Sequence, residues 1–496
     1  MSAESGNSIT PKIHPSAASS VPVERSDALA RELRLQALSE ADRDLIRLVS
    51  DPLFSRWKEQ IKSIGGCANP IYLSGSTVTR DAVTGEVISS YSTDGEPGER
   101  LAVRCRNRRA SACEPCSRLH AGDTFQLVRA GLSGGKGVPD AVRDRSRLFV
   151  TLTAPSFGPV HRALGGAPCR PRRDDPRCEH GRRLGCGLTH TEDDPLVGMP
   201  LCPDCYDYVG HVLWHAHAGR LWDRFTTAVR RYLASAGGVP RSKLGDHLVV
   251  SFAKVAEFQR RAAIHFHAVV RLDGPDGAGS SGPAWATEDL ILDAVEHAAA
   301  STFVMVADSD AYGTERIGWG GQFDAQPIRP FSDGDAPSDA AVAGYVAKYV
   351  SKSAADTGAG LDYRVTSLEG IRAAVVTPHV RALMATCWRL GGLAELEHLR
   401  LRSWAHGVGY RGHILTKSRR YSTTYTALRE ERAEYRQGDT EPGDNSALIA
   451  ESSWRYVGSG YTPGEAGIAV GIAEGIAQSR RLYKESLEDG DWRWVK

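Results

Sequence analysis

Ile264-His265-Phe266-His267-Ala268-Val269-Val270-Arg271-Leu272 is the stretch on which the reading of this chain turns. It is apolar apart from two histidines on alternate positions and a closing arginine, and a strand repeats every two residues. Both imidazoles then lie on one face, with Phe266 and Ala268 on the other. Two neutral imidazoles so placed can share a divalent metal. Burial alone also produces His-x-His in apolar strands, and the neighbouring segments distinguish the two cases. Leu248 to Glu257 reads as a preceding strand, with Gln259-Arg260-Arg261-Ala262 as the connection. A hairpin there sets Glu257 beside His265 and His267 and adds a carboxylate to the pair. Downstream, Tyr345-Val346-Ala347-Lys348-Tyr349-Val350-Ser351-Lys352 carries tyrosines at i and i+4, hence on one helix face. Lys348 and Lys352 each follow a tyrosine by three residues. A metal to polarise a phosphate, a phenol to attack it and an ammonium to neutralise charge form a set suited to phosphoryl transfer.

Ser146 to Pro155, with the core Phe149-Val150-Thr151-Leu152-Thr153, reads as a Thr-rich strand upstream of both segments. The order of Thr-rich strand, His-x-His strand and tyrosine helix resembles the HUH endonucleases, the superfamily of rolling-circle replication initiators, conjugative relaxases and some transposases. The likeness is strongest to replication initiators of actinobacterial plasmids and integrative elements, over residues 100–430. It implies an α+β fold with an RRM-like antiparallel sheet flanked by helices and the histidines on a central strand. It also implies a catalytic Mn²⁺ or Mg²⁺ on His265, His267 and Glu257, and a tyrosine that leaves a 3′-hydroxyl and a 5′-phosphotyrosine. Two-tyrosine members use both in turn, and many others keep the second. Tyr349 is thus the expected nucleophile for initiation and Tyr345 for termination, with Lys348 and Lys352 stabilising the phenolate. The implied partners are origin DNA, single-stranded or hairpin, and a host helicase and polymerase in trans, since the sequence has no Gly-x4-Gly-Lys-Ser/Thr. An insertion-element transposase shares such features. A zinc-stapled DNA-binding regulator with an inert histidine strand is the non-enzymatic alternative.

The rest of the chain is consistent with a soluble, cytoplasmic DNA enzyme. Its 496 residues, 41% hydrophobic and 24% charged, are ample for a sizeable core. A net charge of +1 means that any surface for nucleic acid must be local. No run of 18 apolar residues and no signal peptide occur, which argues against a membrane span. Composition and the resemblance together divide the chain into a disordered N-terminus (1–41), a helical region with a cysteine cluster (42–145), the nuclease domain that the resemblance implies (146–355) with an insertion (165–206), a basic DNA-contact region (356–435), and a linker and tail (436–496).

The ten cysteines are clustered. Cys105, Cys113 and Cys116, joined by Cys67, form one group. Cys178, Cys186, Cys202 and Cys205 form another, with His180 and Cys169 nearby. Thiols two residues apart can reach one tetrahedral ion, so both groups read as structural Zn²⁺ knuckles, while Cys387 and Cys169 read as buried thiols. His211, His215 and His217 lie in a helical stretch without a carboxylate at motif spacing, and read as polar-face or capping residues. Arg400 to Tyr421 holds six Lys or Arg and no acid, interleaved with Trp404, His406, Tyr410 and His413. That mixture suits phosphate neutralisation and base stacking, and points to Arg411, Lys417, Arg419 and Arg420 as DNA contacts.

Overall fold

The computed structural model describes residue 32 and residues 37–313, 316–329, 337–352, 354–437 and 448–488. The expectation of disorder over 1–41 falls almost wholly outside them, as do most of the expected linker and the end of the tail. Two compact units are present, residues 1–105 with 446–496 and residues 106–445.

The larger unit holds the histidine strand. Its sheet is built from β1 (Arg147–Thr153), β2 (Val249–Phe258), β3 (Ile264–Asp273), β4 (Phe323–Pro327) and β5 (Leu415–Lys417) in the order β5-β2-β3-β1-β4. Every neighbouring pair is antiparallel, and β3 is central. The period of two sorts each strand into two faces. Leu148, Val150 and Leu152, with Phe266, Ala268 and Val270, join one apolar core. Covering it are α2 (Tyr208–Ala236), through Trp214, Leu221 and Phe225, and α3 (Glu288–Ser301), through Ile291 and Val295. The opposite face carries Ala253, Val255 and Val269 into a second core. There α1 (Glu114–Ser133) contributes Leu127 and Leu132, and α4 (Asp339–Val350) contributes Val342 and Val346. The catalytic candidates share this second face.

Two buried arginines hold α4 and the strand ends in place. Ser338 caps α4 by accepting from the Ala341 amide at 3.2 Å. In its first turn, Asp339 accepts from Arg147 Nη1 of β1 at 2.9 Å and from Ser133 Oγ of α1 at 2.8 Å. Arg271 meets Asp273 through Nε at 2.7 Å and Nη2 at 2.8 Å. A buried guanidinium without its carboxylate is costly, so the Arg147 pair restricts where α4 can sit on the sheet.

The smaller unit differs from the expected helical region and polar linker. Leu448–Ser459 is a strand, antiparallel to Ile71–Asp81, which also pairs with Val87–Ser92 and Leu101–Val103. Helices Glu40–Ser50, Phe54–Ser63 and Pro463–Glu488 accompany this sheet. Leu448–Ser459 is exposed along nearly all its length. It therefore lacks the apolar alternation that marks a half-buried strand, and the expectation of a linker there is corrected. Among the described residues no helix is long and apolar enough to cross a membrane.

Candidate metal and tyrosine site

Glu257 lies directly across the ladder from His265, and His267 pairs with Thr151 of β1 on its other side. The strand period therefore delivers Glu257, His265, His267 and Thr151 to one face. His265 Nε2 and His267 Nε2 each stand 3.1 Å from Glu257 Oε2 and 3.2 Å from one another. One ligand atom from each residue lies within 4.8 Å of the other two. Two imidazoles and a carboxylate with no thiol among them fit a hard divalent cation that keeps open positions for oxygen.

Tyr345 and Tyr349 project onto this group from α4. The Tyr345 hydroxyl donates to Glu257 Oε2 at 2.9 Å and stands 2.9 Å from His267 Nε2. Its ring lies 4.7 Å from that of Tyr349. Lys352 Nζ and Lys348 Nζ stand 5.0 Å and 5.5 Å from the Tyr349 ring centroid. Tyr345 and Tyr349 are half-buried and Lys348 is exposed.

The electrostatics follow from this packing. Burial opposes ionisation of Glu257, but hydrogen bonds from His265, His267 and Tyr345 outweigh it and hold the carboxyl well below its usual range. Burial lowers the His267 imidazole, which keeps it neutral and able to offer a lone pair. Burial and the adjacent Glu257 charge push both phenols up. Attack by either tyrosine therefore requires positive charge close to its oxygen.

Three contributors to the site escaped the sequence reading as individual residues. Thr151 Oγ1 lies 3.0 Å from His267 Nδ1, the Phe149 ring stacks on the His267 ring at 5.6 Å, and Gln259 Nε2 approaches His265 Nδ1 at 3.5 Å. Thr151 could have been found by projecting the expected antiparallel pairing of β1 and β3 onto the histidine face.

The insertion re-sorts the expected zinc ligands. Cys178, Cys202 and Cys205 gather with His180, while Cys186 gathers with Cys169, His161 and His190. Cys186 therefore leaves the four-thiol group assigned to it, and Cys169 is no longer an isolated buried thiol. The cause is a local turn in which the Gly187 amide donates to Cys169 O at 2.7 Å and the Cys186 amide to Arg170 O at 3.3 Å. Cys186 Sγ then meets His190 Nε2 at 3.3 Å, and His190 Nδ1 meets Asp194 Oδ2 at 2.7 Å. Both are tetrahedral-type sulfur and nitrogen sets that can hold an ion such as zinc, and the carboxylate on His190 is the outer partner that such ligands usually have. The spacing Cys186-x3-His190 was the available signal. Of the other group, Cys67 and Cys105 lie in the smaller unit, where the Cys105 amide donates to Cys67 Sγ at 3.3 Å, and Cys113 and Cys116 lie in the larger one.

Other expectations need revision. His211, His215 and His217 are buried in α2 and are not on a polar face, since that helix is covered by the sheet and by Pro378–Leu390. His215 accepts from the Ile264 amide at 3.1 Å and faces Val408 O at 2.9 Å. In the basic stretch, Tyr410 and Tyr421 are buried and their hydroxyls donate to His413 O and Val128 O, so they have no ring face to offer a base. Lys417 is half-buried beside the carbonyls of Ser418, Arg419 and Ser422, Arg411 donates to His398 O and Leu399 O, and Arg420 to Pro275 O. Arg411, Arg419 and Arg420 remain exposed.

Residues 53–474 match the RepSA family, described as "Replication initiator protein, pSAM2". The chain is 44% identical over 459 residues to a replication initiator protein of Streptomyces ambofaciens, covering 90% of this chain and 95% of that one. No solved structure matches it.

Proposed function

The chain belongs to the RepSA family of replication initiators, and from that premise we propose that it starts rolling-circle replication of a plasmid or integrative element by nicking one origin strand with a tyrosine. The observation that carries this reading is the meeting of a two-histidine, one-carboxylate group with two tyrosine hydroxyls, Tyr345 Oη lying 2.9 Å from both Glu257 Oε2 and His267 Nε2. In this reading the fold is of the HUH type, the metal ligands are His265, His267 and Glu257, and the nucleophile for initiation is Tyr349. A Mn²⁺ or Mg²⁺ ion bound by those ligands supplies polarisation of the scissile phosphate.

The chain's own residues do the rest. Tyr349 Oη attacks phosphorus, the bond from phosphorus to the 3′ oxygen breaks, and the phenol's proton is balanced by the one gained at the new 3′-hydroxyl. One phosphodiester replaces another, so the step is reversible and the retained 5′-phosphotyrosine can later close the displaced strand. Lys348 and Lys352 stand beside Tyr349 to stabilise its developing phenolate, each 1.36 kcal/mol of which gives about tenfold in rate. Tyr345, held more tightly against Glu257, is the second nucleophile, at termination. The free 3′-end primes a host polymerase, with a host helicase acting in trans. Exposed Arg411, Arg419 and Arg420 contribute backbone contacts, and Lys417 orders their loop. Family membership favours the initiator over a transposase or a regulator.

The test is incubation of the purified protein and Mn²⁺ with single strands tiling the element's origin, followed by mass spectrometry of the peptide left on nicked DNA. An adduct on Tyr349 that is lost in Tyr349→Phe is expected. An adduct solely on Tyr345 reverses the order of the two, and no adduct on either removes the mechanism.

A further inference from the structure

Beside the metal and tyrosine site is a cavity of about 520 Å³, lined among others by Arg162, Arg170, Gln259, Arg260 and Arg261. Four guanidiniums face it against one carboxylate, Glu192. One wall is the ligand-bearing loop that leads into the insertion, on which Arg162 follows His161 and Arg170 follows Cys169. The Arg162 amide donates to Cys169 Sγ at 3.3 Å, so this loop closes around its metal-ligating set. The other wall is the turn between β2 and β3.

The walls are built against each other. Arg260 Nη2 donates to Asp194 O at 3.3 Å, and Asp194 is the carboxylate on His190. Gly198 has φ +90° and a Cβ there would lie 2.3 Å from Arg260 O, so a side chain at this position would force loop and turn apart. Arg261 donates to Gln259 Oε1 at 2.8 Å and to Pro155 O at 3.2 Å, and Gln259 reaches His265. Arg170 and Arg261 are half-buried in the cavity's walls, with Arg162 and Arg260 exposed beside them. Cations crowded in this way are relieved by an anion, and the anion that reaches a nicking site is a phosphate of the strand being cut.

We propose that this arginine-lined cavity binds backbone phosphates of single-stranded DNA flanking the scissile bond, with the Cys169 and Cys186 metal loop as its outer wall. The proposal rests on the nicking reading above and adds the path of the strand away from the tyrosines. Arg162 and Arg260 are exposed and supply the contacts, while Arg170 and Arg261 shape the walls.

The experiment measures affinity of the full-length, metal-loaded protein for a fluorescein-labelled oligothymidylate across a salt series. For single strands each phosphate contact contributes about 0.7 to the slope of log K against log salt. Arg162→Ala with Arg260→Ala should therefore lower the slope by about 1.4 and weaken binding at low salt by about tenfold. The corresponding lysine pair should retain most of the slope. Arg241→Ala with Lys243→Ala removes two charges just before the opposite end of β2 and should leave the slope as it was. Arg162→Glu alone, at an exposed side chain, gives a second measure should the double variant lose metal. Wild-type slopes in both the double variant and Arg162→Glu overturn the cavity assignment. Nicking by the wild-type protein is assayed in parallel, so its absence counts against the nuclease reading and an unchanged slope in a nicking protein counts against the cavity alone.

Discussion

Thr151→Val should weaken the divalent metal site without touching a ligand. The Thr151 hydroxyl stands 3.0 Å from His267 Nδ1, and burial keeps that imidazole neutral. A neutral ring carries one N–H, and for Nε2 to offer its lone pair to an ion shared with Glu257 and His265 that proton must sit on Nδ1, donated to Thr151. Valine keeps the branched shape suited to a strand and removes the acceptor. Loss of such an outer partner typically costs about 10–100-fold in metal affinity, or about 1.4–2.7 kcal/mol. Leaving Nδ1–H unsatisfied costs a further ~1–3 kcal/mol of fold stability. The free Mn²⁺ signal in electron paramagnetic resonance, read during titration of zinc-loaded protein, gives the dissociation constant directly. Thr151→Ser should bind as the wild type does. Nicking by the valine variant should recover at saturating Mn²⁺, because Tyr345 and Tyr349 are undisturbed. Mn²⁺ affinity in Thr151→Val equal to the wild-type value would refute the argument that Thr151 selects the tautomer.

Asp339→Ala leaves Arg147 buried without its carboxylate and should destabilise the larger unit by about 3–5 kcal/mol, read as a shifted denaturant midpoint. A midpoint within error of wild type would show that the pair does not anchor α4. Native mass spectrometry should find that Cys186→Ser and Cys205→Ser each lose one zinc, and the double variant two. An unchanged count in Cys186→Ser removes its metal set. His215 and His379 are both pushed down to about 4 by burial, from 6.5. The unfolded chain therefore binds more protons between these values, so stability is full above about pH 6.5 and falls as pH drops toward 4. Denaturant midpoints across that window should decline less steeply in His215→Gln, and equal slopes would contradict this origin of acid sensitivity.

Local periodicity was enough to read the two segments that carry the site. A period of two sets His265 and His267 on one face, and a period near four sets Tyr345 beside Tyr349, because each relation lies within one segment and needs no partner. Short hairpin connectivity likewise makes Glu257 a neighbour of His265, since only a few residues separate their strands. Which face of the tyrosine helix meets the histidines was decided elsewhere, by the buried pair of Arg147 and Asp339 and by Val342 and Val346 packing on Val255 and Val269. Those residues are distant in sequence, and each reads locally as an ordinary charge or an ordinary apolar position. The division of the insertion's ligands was also tertiary. Cys178 and Cys186 are close in the chain but serve different sets, because a ligand's destination depends on how the loop turns back and His161 arrives from well upstream. The strand Leu448–Ser459 was hidden for the complementary reason: it is exposed on both faces, so burial imposes no alternation on its residues, and its pairing with Ile71–Asp81 is made by backbone groups that every residue possesses.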